Sequence, residues 1–300
     1  MQASNTFNLS VIILNYFGYD DTVSCIKSIK NSLDSKVFLV DNSAHPSERK
    51  KLEDAFKNDP QTHLIFPPEN LGFAAGVNLG LKQALEEGYQ HFILLNNDAV
   101  LLPHSGEIFY NAFKEHPGCL MSPTIIWGED SHRGHYYHKY LGLICRKPYW
   151  QSNNFLYYIT GCTLAFDQTT IDRIGFFDEA FFFFGEDIEY SHRATNNGLP
   201  IILLPEKIVQ HHGSKSAKMA SLFYEYHLVR AHFLLTFSIV DTLTGQIFSL
   251  LGKFFILGSR AMLRSIRYWS FAPLLGFFLA PINIRLRPNI KENTGNQTKE

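Results

Sequence analysis

Cysteine is scarce in this 300-residue chain and badly placed for structural chemistry. Cys25, Cys119, Cys145 and Cys162 are widely spaced and include no Cys-x-x-Cys pair, which argues against a zinc knuckle or a disulfide framework and for a reducing compartment. An export signal is lacking too. The stretch MQASNTFNLS has no basic segment leading into an apolar core, so a cytoplasmic protein is expected. Nor does charge of one sign dominate: the formal net charge of -1 gives no global pull toward acidic ligands, and no nucleic-acid partner is expected. The familiar phosphate loops are absent as well. Gly72 and Gly76 in PENLGFAAGVNLG are spaced wrongly for both a Walker loop and G-x-G-x-x-G, which disfavours ATP and nicotinamide cofactors. Finally, no apolar run reaches the roughly 18 to 20 uninterrupted residues of a spanning helix.

What is present is a rhythm. The runs LSVIIL, VFLVDN, HLIF and HFILLNND alternate with amphipathic stretches, and that βαβαβαβ order predicts a mainly parallel sheet with helices on both faces. In such sheets, ligands gather at the carboxyl ends of the strands. Three strand ends carry polar residues suited to this, Asn15-Tyr16, Asp41-Asn42 and Asn96-Asn97-Asp98. Any one could merely cap the next helix, but three in register point to a site.

Asn96-x-Asp98 sets an amide oxygen and a carboxylate where hard oxygen ligands could hold Mg²⁺ or Mn²⁺. The helix entry that follows Pro68 offers Asn70, Gly72, Phe73, Gly76 and Asn78, and its small residues allow close backbone approach to a phosphate or sugar. YYITGCTLAF reads as a strand entering a glycine turn. HRGHYYHK invites a metal reading, but its spacing matches no familiar ligand pattern, so a solvated or substrate-facing loop is expected. The oddest stretch is FFFFGEDIEY, Phe181 to Tyr190. Exposed, its aromatic half would be an aggregation hazard; buried, its acids would be costly without partners.

Taken together, SVIILNYFGYDDTVSCIKSI, FLVDNSA, ENLGFAAGVNLGL, FILLNNDAVLLP, YITGCTLAF, IDRIGFFDEAFFFFGEDIEYSHRATNNG and ILLPEKIVQHHGSKS resemble the inverting glycosyltransferases of family 2. The nearest likeness is to the rhamnosyltransferase-like branch that builds O-antigen and other bacterial surface polysaccharides. The match runs from about Leu9 to Ser216. It implies a GT-A fold, a Rossmann-like α/β arrangement with a mixed, mainly parallel sheet flanked by helices, over residues 1–218. It also implies donor contacts at Asn15, Asp41, Asn70, Gly72, Phe73, Gly76, Asn78, Asn96, Asn97, Gly161 and Cys162, with Asp41 on the nucleotide base. Asn96-x-Asp98 matches the family's Asp-x-Asp motif, so Asp98 becomes the metal ligand, and Asn96 in place of the first acid removes one negative charge from the site. His211 or His212 corresponds to the histidine that completes the metal site. Asp187 takes the part of general base, Glu186 orients the loop or the acceptor, and Phe181 to Phe184 wall the acceptor site. The implied partners are a nucleotide-diphosphate sugar, dTDP-rhamnose first among them, and a lipid-linked saccharide acceptor.

The rival from another class is a subunit that binds nucleotide sugar or glycan without turning it over. Intact Glu186-Asp187 and His211-His212 speak against that decay. A nucleotidyltransferase would want a basic glycine-rich loop after the first strand, and NYFGYDD is acidic.

Residues 219–290 read as a helical, aromatic tail, and 291–300 as disordered. Residues 241–290 hold six basic residues, Lys253, Arg260, Arg264, Arg267, Arg285 and Arg287, against Asp241 alone, a net +5. Arg260, Arg264 and Arg267 recur at helical spacing beside Leu257, Met262, Leu263 and Ile266, which favours an amphipathic helix lying on the inner face of the cytoplasmic membrane. A packed helical layer or a homodimer face is the alternative.

Overall fold

A computed structural model of the chain describes residues 8–148, 150, 152–213 and 220–283. Aliphatic and β-branched runs buried on both faces suit parallel strands. They form β1 (Leu9–Asn15), β2 (Lys36–Asp41), β3 (Thr62–Ile65) and β4 (His91–Leu95), alternating with α1 (Tyr19–Ser32), α2 (Pro46–Phe56) and α3 (Phe73–Glu86). The expected rhythm is therefore observed. Next come β5 (Ala99–Leu101), α4 (Ser105–Glu115), β6 (Leu120–Trp127), β7 (Asp130–His132), β8 (His135–His138), β9 (Ile144–Cys145), β10 (Phe155–Tyr158) and β11 (Thr163–Asp167). The chain continues through α5 (Gln168–Ile174), α6 (Glu186–Asn196), β12 (Ile201–His211), α7 (Leu222–Ile239), α8 (Leu243–Tyr268) and α9 (Ala272–Leu279).

The main sheet has the order β3-β2-β1-β4-β11-β6-β12-β5, with β7 on β6 beside it, and β10-β8-β9 make a smaller second sheet. β3, β2, β1 and β4 are mutually parallel, as are β6 and β12, whereas β11 and β5 run antiparallel to their neighbours. Strand order reverses at β1, which opens a crevice at the carboxyl edge between β1 and β4. One core, with Ile13, Ile29 and Phe109, fills the face under α1, α2 and α4, and a second, with Ile12, Val77 and Tyr190, fills the face under α3, α5 and α6.

YYITGCTLAF enters a glycine turn as expected and leaves it as a second strand. It breaks at Ile159–Cys162, leaving β10 in the small sheet and β11 in the main one, so the Gly161 turn bridges the two sheets. The phenylalanine run also differs from the expected acceptor wall. Phe181 is core, packed with Tyr137, Tyr158, Ile188 and Leu235. Phe182 stacks on His227 with ring centres 4.7 Å apart, and Phe184 meets Tyr224 edge-on at 5.1 Å. The start of α7 thus covers the run, which removes the aggregation hazard.

The tail is more continuous than its sequence suggests. α8 spans 26 residues and is long and apolar enough, by length and composition, to cross a membrane. Only Gly245, Ser249, Lys253, Leu257 and Ala261 are buried, a single stripe at four-residue spacing. Gly252 lies so close to the 139–142 turn that a Cβ there would sit 2.7 Å from the Tyr140 carbonyl oxygen. Leu243, Phe248, Phe255, Leu263, Ile266, Trp269 and Phe271 are exposed, Trp269 at 95%. The expected basic stripe is depleted. Lys253 is wholly buried and donates to Thr236 Oγ1 at 2.8 Å, and Arg264 turns inward onto the Glu225 carboxylate. Arg285, Arg287 and the expected disorder of 291–300 lie outside the described residues.

Candidate functional site

Polar side chains at the ends of β1 and β2 lock together before any ligand arrives. Parallel register sets Asn15 opposite Asp41. Asn15 Nδ2 donates to Asp41 Oδ1 (3.0 Å) and Glu48 Oε1 (3.3 Å), while its Oδ1 accepts from Thr22 Oγ1 (2.9 Å) and the Gly18 amide (3.1 Å). Asn97 Nδ2 extends the network by donating to Thr22 Oγ1 at 3.0 Å. Asp41 also accepts from the Ser43 amide and hydroxyl at 3.1 and 2.9 Å, with Arg49 4.0 Å away. With no exposed surface, Asp41 braces this corner. Buried polar groups fully paired in this way give rigidity.

The helix-entry residues divide. Asn42, one of the polar strand-end residues, ties the loop: its Nδ2 donates to Asn70 Oδ1 (2.8 Å) and the Gly72 carbonyl (3.0 Å), and its Oδ1 accepts from the Leu71 amide (2.9 Å). The Phe73 amide donates to the Phe182 carbonyl at 2.7 Å, so the start of α3 holds the aromatic run. Gly72 has φ +80°, and a Cβ there would lie 2.6 Å from the Phe182 ring. Gly76 lets α3 close on β1, since its Cβ would stand 2.5 Å from Leu14. Asn78 is spent on the Phe177 backbone and Glu179. Gly72 and Gly76 thus let protein approach closely, and Asn78 is held by protein partners.

The structure separates the two histidines. His211 Nε2 donates to Asp98 Oδ1 at 3.0 Å, and both side chains are buried. His212 is exposed, and its amide donates to the Asp98 carbonyl at 3.0 Å. Asp98 Oδ2 and His211 Nδ1 are buried without partners, which is what a cation site would leave free. No cluster of three or more metal-binding side chains occurs among the described residues. The donor set nevertheless fits a hard divalent cation, because such ions often take one or two protein groups and complete their shell with phosphate and water. Asn96, half-buried at the same strand end, contributes its backbone to the frame, its amide donating to the Cys162 carbonyl at 2.9 Å.

Across the crevice, Gly185 in the left-handed region (φ +88°) turns the chain into α6. The first turn carries Glu186 and Asp187, where the helix dipole favours negative charge. Asp187 Oδ1 accepts from its neighbour Ile188's amide at 2.8 Å and Oδ2 from the Gly161 amide at 3.2 Å. A Cβ at 161 would make ordinary contacts with Asp187 Cβ and Glu186 Oε1, each at 3.7 Å, which places this turn directly against the two acids. Burial raises both carboxyl pKa values, Asp187 to about 6 against the pull of those amides, and Glu186 further under the charge of Asp187. Glu186 Oε2 is buried with no partner. Cys162 is buried, and burial with the nearby Asp98 charge raises its thiol pKa, so it is no nucleophile.

An aromatic wall runs through HRGHYYHK, the stretch expected as a solvated or substrate-facing loop. The Trp127 ring meets His211 at 4.7 Å and His132 at 5.5 Å, His132 stacks on His135 at 5.5 Å, and His135 lies 5.9 Å from Tyr158. The signal for it was HRGHYYHK itself, which needed the position of β6 to become legible.

Residues 10–178 match the family model described as "Glycosyl transferase family 2". Among curated proteins, the low-salt glycan biosynthesis hexosyltransferase Agl10 of Haloferax volcanii is 24% identical over 65% of this chain and 64% of its own length. The dTDP-rhamnosyl transferase RfbF of Shigella flexneri is 24% identical over 73% of this chain and 74% of its own. The match thus spans just under two thirds of the haloarchaeal relative. Among solved structures, GalNAc-T7 with UDP, GalNAc and Mn²⁺ superposes with a TM-score of 0.61 at 16% identity, over 76% of this chain and 48% of that one. S. aureus TarS 1–349 with UDP gives 0.52 at 14% identity over 93% and 75%. At these identities the structural likeness speaks for the fold, which is GT-A.

Proposed function

The chain belongs to glycosyl transferase family 2, and from that premise we propose that it moves a sugar from a nucleotide-diphosphate donor to a hydroxyl of a growing, lipid-linked surface glycan, with inversion at the anomeric carbon. The observation that carries this reading is Asp187, held by two backbone amides at the mouth of α6 with a raised pKa, on the same crevice as the Asp98–His211 pair. Rhamnose as the sugar rests on the Shigella relative. A nucleotide diphosphate rests on the UDP seen in both structural neighbours.

The chemistry follows from the residues. A general base works best with a pKa near the working pH, and burial moves Asp187 in that direction. Asp187 takes the proton of the acceptor hydroxyl as that oxygen bonds to the anomeric carbon from one face. On the other face, the bond to the diphosphate oxygen breaks and its electron pair leaves with the nucleotide, so one displacement inverts the centre. Asp98 and His211 would hold a divalent cation, Mg²⁺ or Mn²⁺, which when bound neutralises charge on the departing diphosphate. Glu186, with one oxygen unpartnered, is free to hydrogen-bond a donor or acceptor hydroxyl.

The acceptor's lipid anchor finds a counterpart in the exposed apolar face of α8 and α9, which we assign to the inner surface of the cytoplasmic membrane. The test is calorimetry of UDP and dTDP with Mg²⁺ or Mn²⁺, followed by turnover of a nucleotide-sugar panel that includes dTDP-rhamnose with a lipid-linked acceptor extract. Binding that weakens at least tenfold in Asp98→Asn, with one donor consumed, supports the reading. Absence of nucleotide-diphosphate binding in the wild type overturns it.

A further inference from the structure

We propose that the β7–β8 segment, which passes from the main sheet to the small one, carries the acceptor subsite, and that His132 and His135, stacked toward Tyr158, form the face on which an uncharged sugar ring of the acceptor lies. The inference rests on the transferase reading above and deepens it by naming what the acceptor presents. Its first support is position. The ring series starts at Trp127 on His211 and ends at Tyr158, whose hydroxyl pKa is raised by burial and then by the charges of Asp187 and Glu186. The series therefore runs from the Asp98–His211 pair to the base, the path an acceptor must occupy if the base is to reach its hydroxyl.

The second support is an unfilled valence. His132 Nδ1 is buried without a hydrogen-bond partner, as are Glu186 Oε2, Asp98 Oδ2 and His211 Nδ1 around the same crevice. Polar atoms are seldom left so in folded proteins unless a ligand or water meets them. Third, the turn between β7 and β8 is built to be held still. Tyr157 Oη, on the strand paired with β8, donates to the Arg133 carbonyl at 2.7 Å, and a Cβ at Gly134 would lie 2.5 Å from that hydroxyl oxygen.

The chemistry of the wall selects the ligand. Burial, then like charge from Arg146 and neighbouring histidines, lowers the pKa of both rings, which leaves them uncharged near neutrality. A neutral imidazole has one donor and one acceptor, a match for sugar hydroxyls and a poor one for a carboxylate or phosphate. The planar stack adds a surface for a sugar's apolar face.

Saturation-transfer NMR with methyl α-L-rhamnopyranoside and methyl α-D-glucopyranoside tests this, run with dTDP or UDP and Mg²⁺ already bound. Transfer to ring protons in the wild type, reduced at least fivefold in His132→Ala and His135→Ala while nucleotide binding stays within twofold, is the expected result. His135→Phe, which keeps a ring in the stack and the fold intact, should retain ring contact yet raise the KM for the lipid-linked extract with the donor KM unchanged. Equal signals in wild type and variants, or none in the wild type with nucleotide bound, would overturn the subsite. Failure to bind nucleotide would instead sink the transferase reading.

Discussion

Glu186 and Asp187 are adjacent acids in one helical turn, and their burial makes them protonation-sensitive in two different measurements. In catalysis, Asp187→Asn removes the proton acceptor but keeps the shape, so transfer should fall by about 10²- to 10⁴-fold while nucleotide-diphosphate binding by calorimetry holds. In stability, the sign follows from the direction of the shift. The folded protein holds the Glu186 proton more tightly than the unfolded chain does, so this contribution is complete below the ordinary carboxylate range and is lost as pH rises through about 8. Thermal unfolding of Glu186→Gln should therefore decline less between pH 5 and 8 than that of the wild type, and identical slopes would refute an ionising Glu186. Both residues were legible in the sequence because they open a helix after a glycine, a local pattern. Asp98 was legible for the same reason, at a strand end. What could not be read was the choice between His211 and His212, adjacent in the chain, which only the register of β12 against β5 decides.

At the scale of elements, the entry to α3 acts as a clamp. Gly72 and Phe73 grip Phe182 by backbone, and Phe182 leads into Gly185 and the acids. Gly72→Ala combines a disfavoured φ with a Cβ 2.6 Å from a ring, and should cost about 1 to 3 kcal/mol. Gly88→Ala is its control, since Gly88 has φ +85° with nothing within 4 Å of the new Cβ. Urea midpoints should drop for both and further for Gly72→Ala, and only that variant should lose transfer activity. The glycines of ENLGFAAGVNLG looked like a ligand cradle because small residues mark close approach without naming the partner. Here the partners are Phe182 and Leu14, 110 and 62 positions away. The strand rhythm, by contrast, was fully legible, since aliphatic periodicity is local and the sheet only had to honour it.

Over the whole molecule, the tail is attached to the transferase core at places that matter. α7 covers the phenylalanine run and donates from Arg230 to the Ala180 carbonyl, while Ser249 on α8 donates to the Lys139 carbonyl just past β8. Charge counting misjudged this region, because it could not tell that Lys253 and Arg264 face inward. The outward face is apolar, and Phe255→Glu with Ile266→Glu, both exposed in the wild type, should abolish co-flotation with anionic phospholipid vesicles without lowering the unfolding temperature. If the double variant instead converts a dimer to a monomer and flotation is unchanged, the face belongs to a second copy.

α8, which would rest on lipid, also holds the 139–142 turn just past β8 and packs on α7, which covers the phenylalanine run leading to the acids. An enzyme so mounted meets its acceptor by diffusion in two dimensions, so its rate should track the mole fraction of acceptor in the bilayer and not the amount per volume. Diluting the acceptor with inert phospholipid, at constant total acceptor, would then slow the reaction.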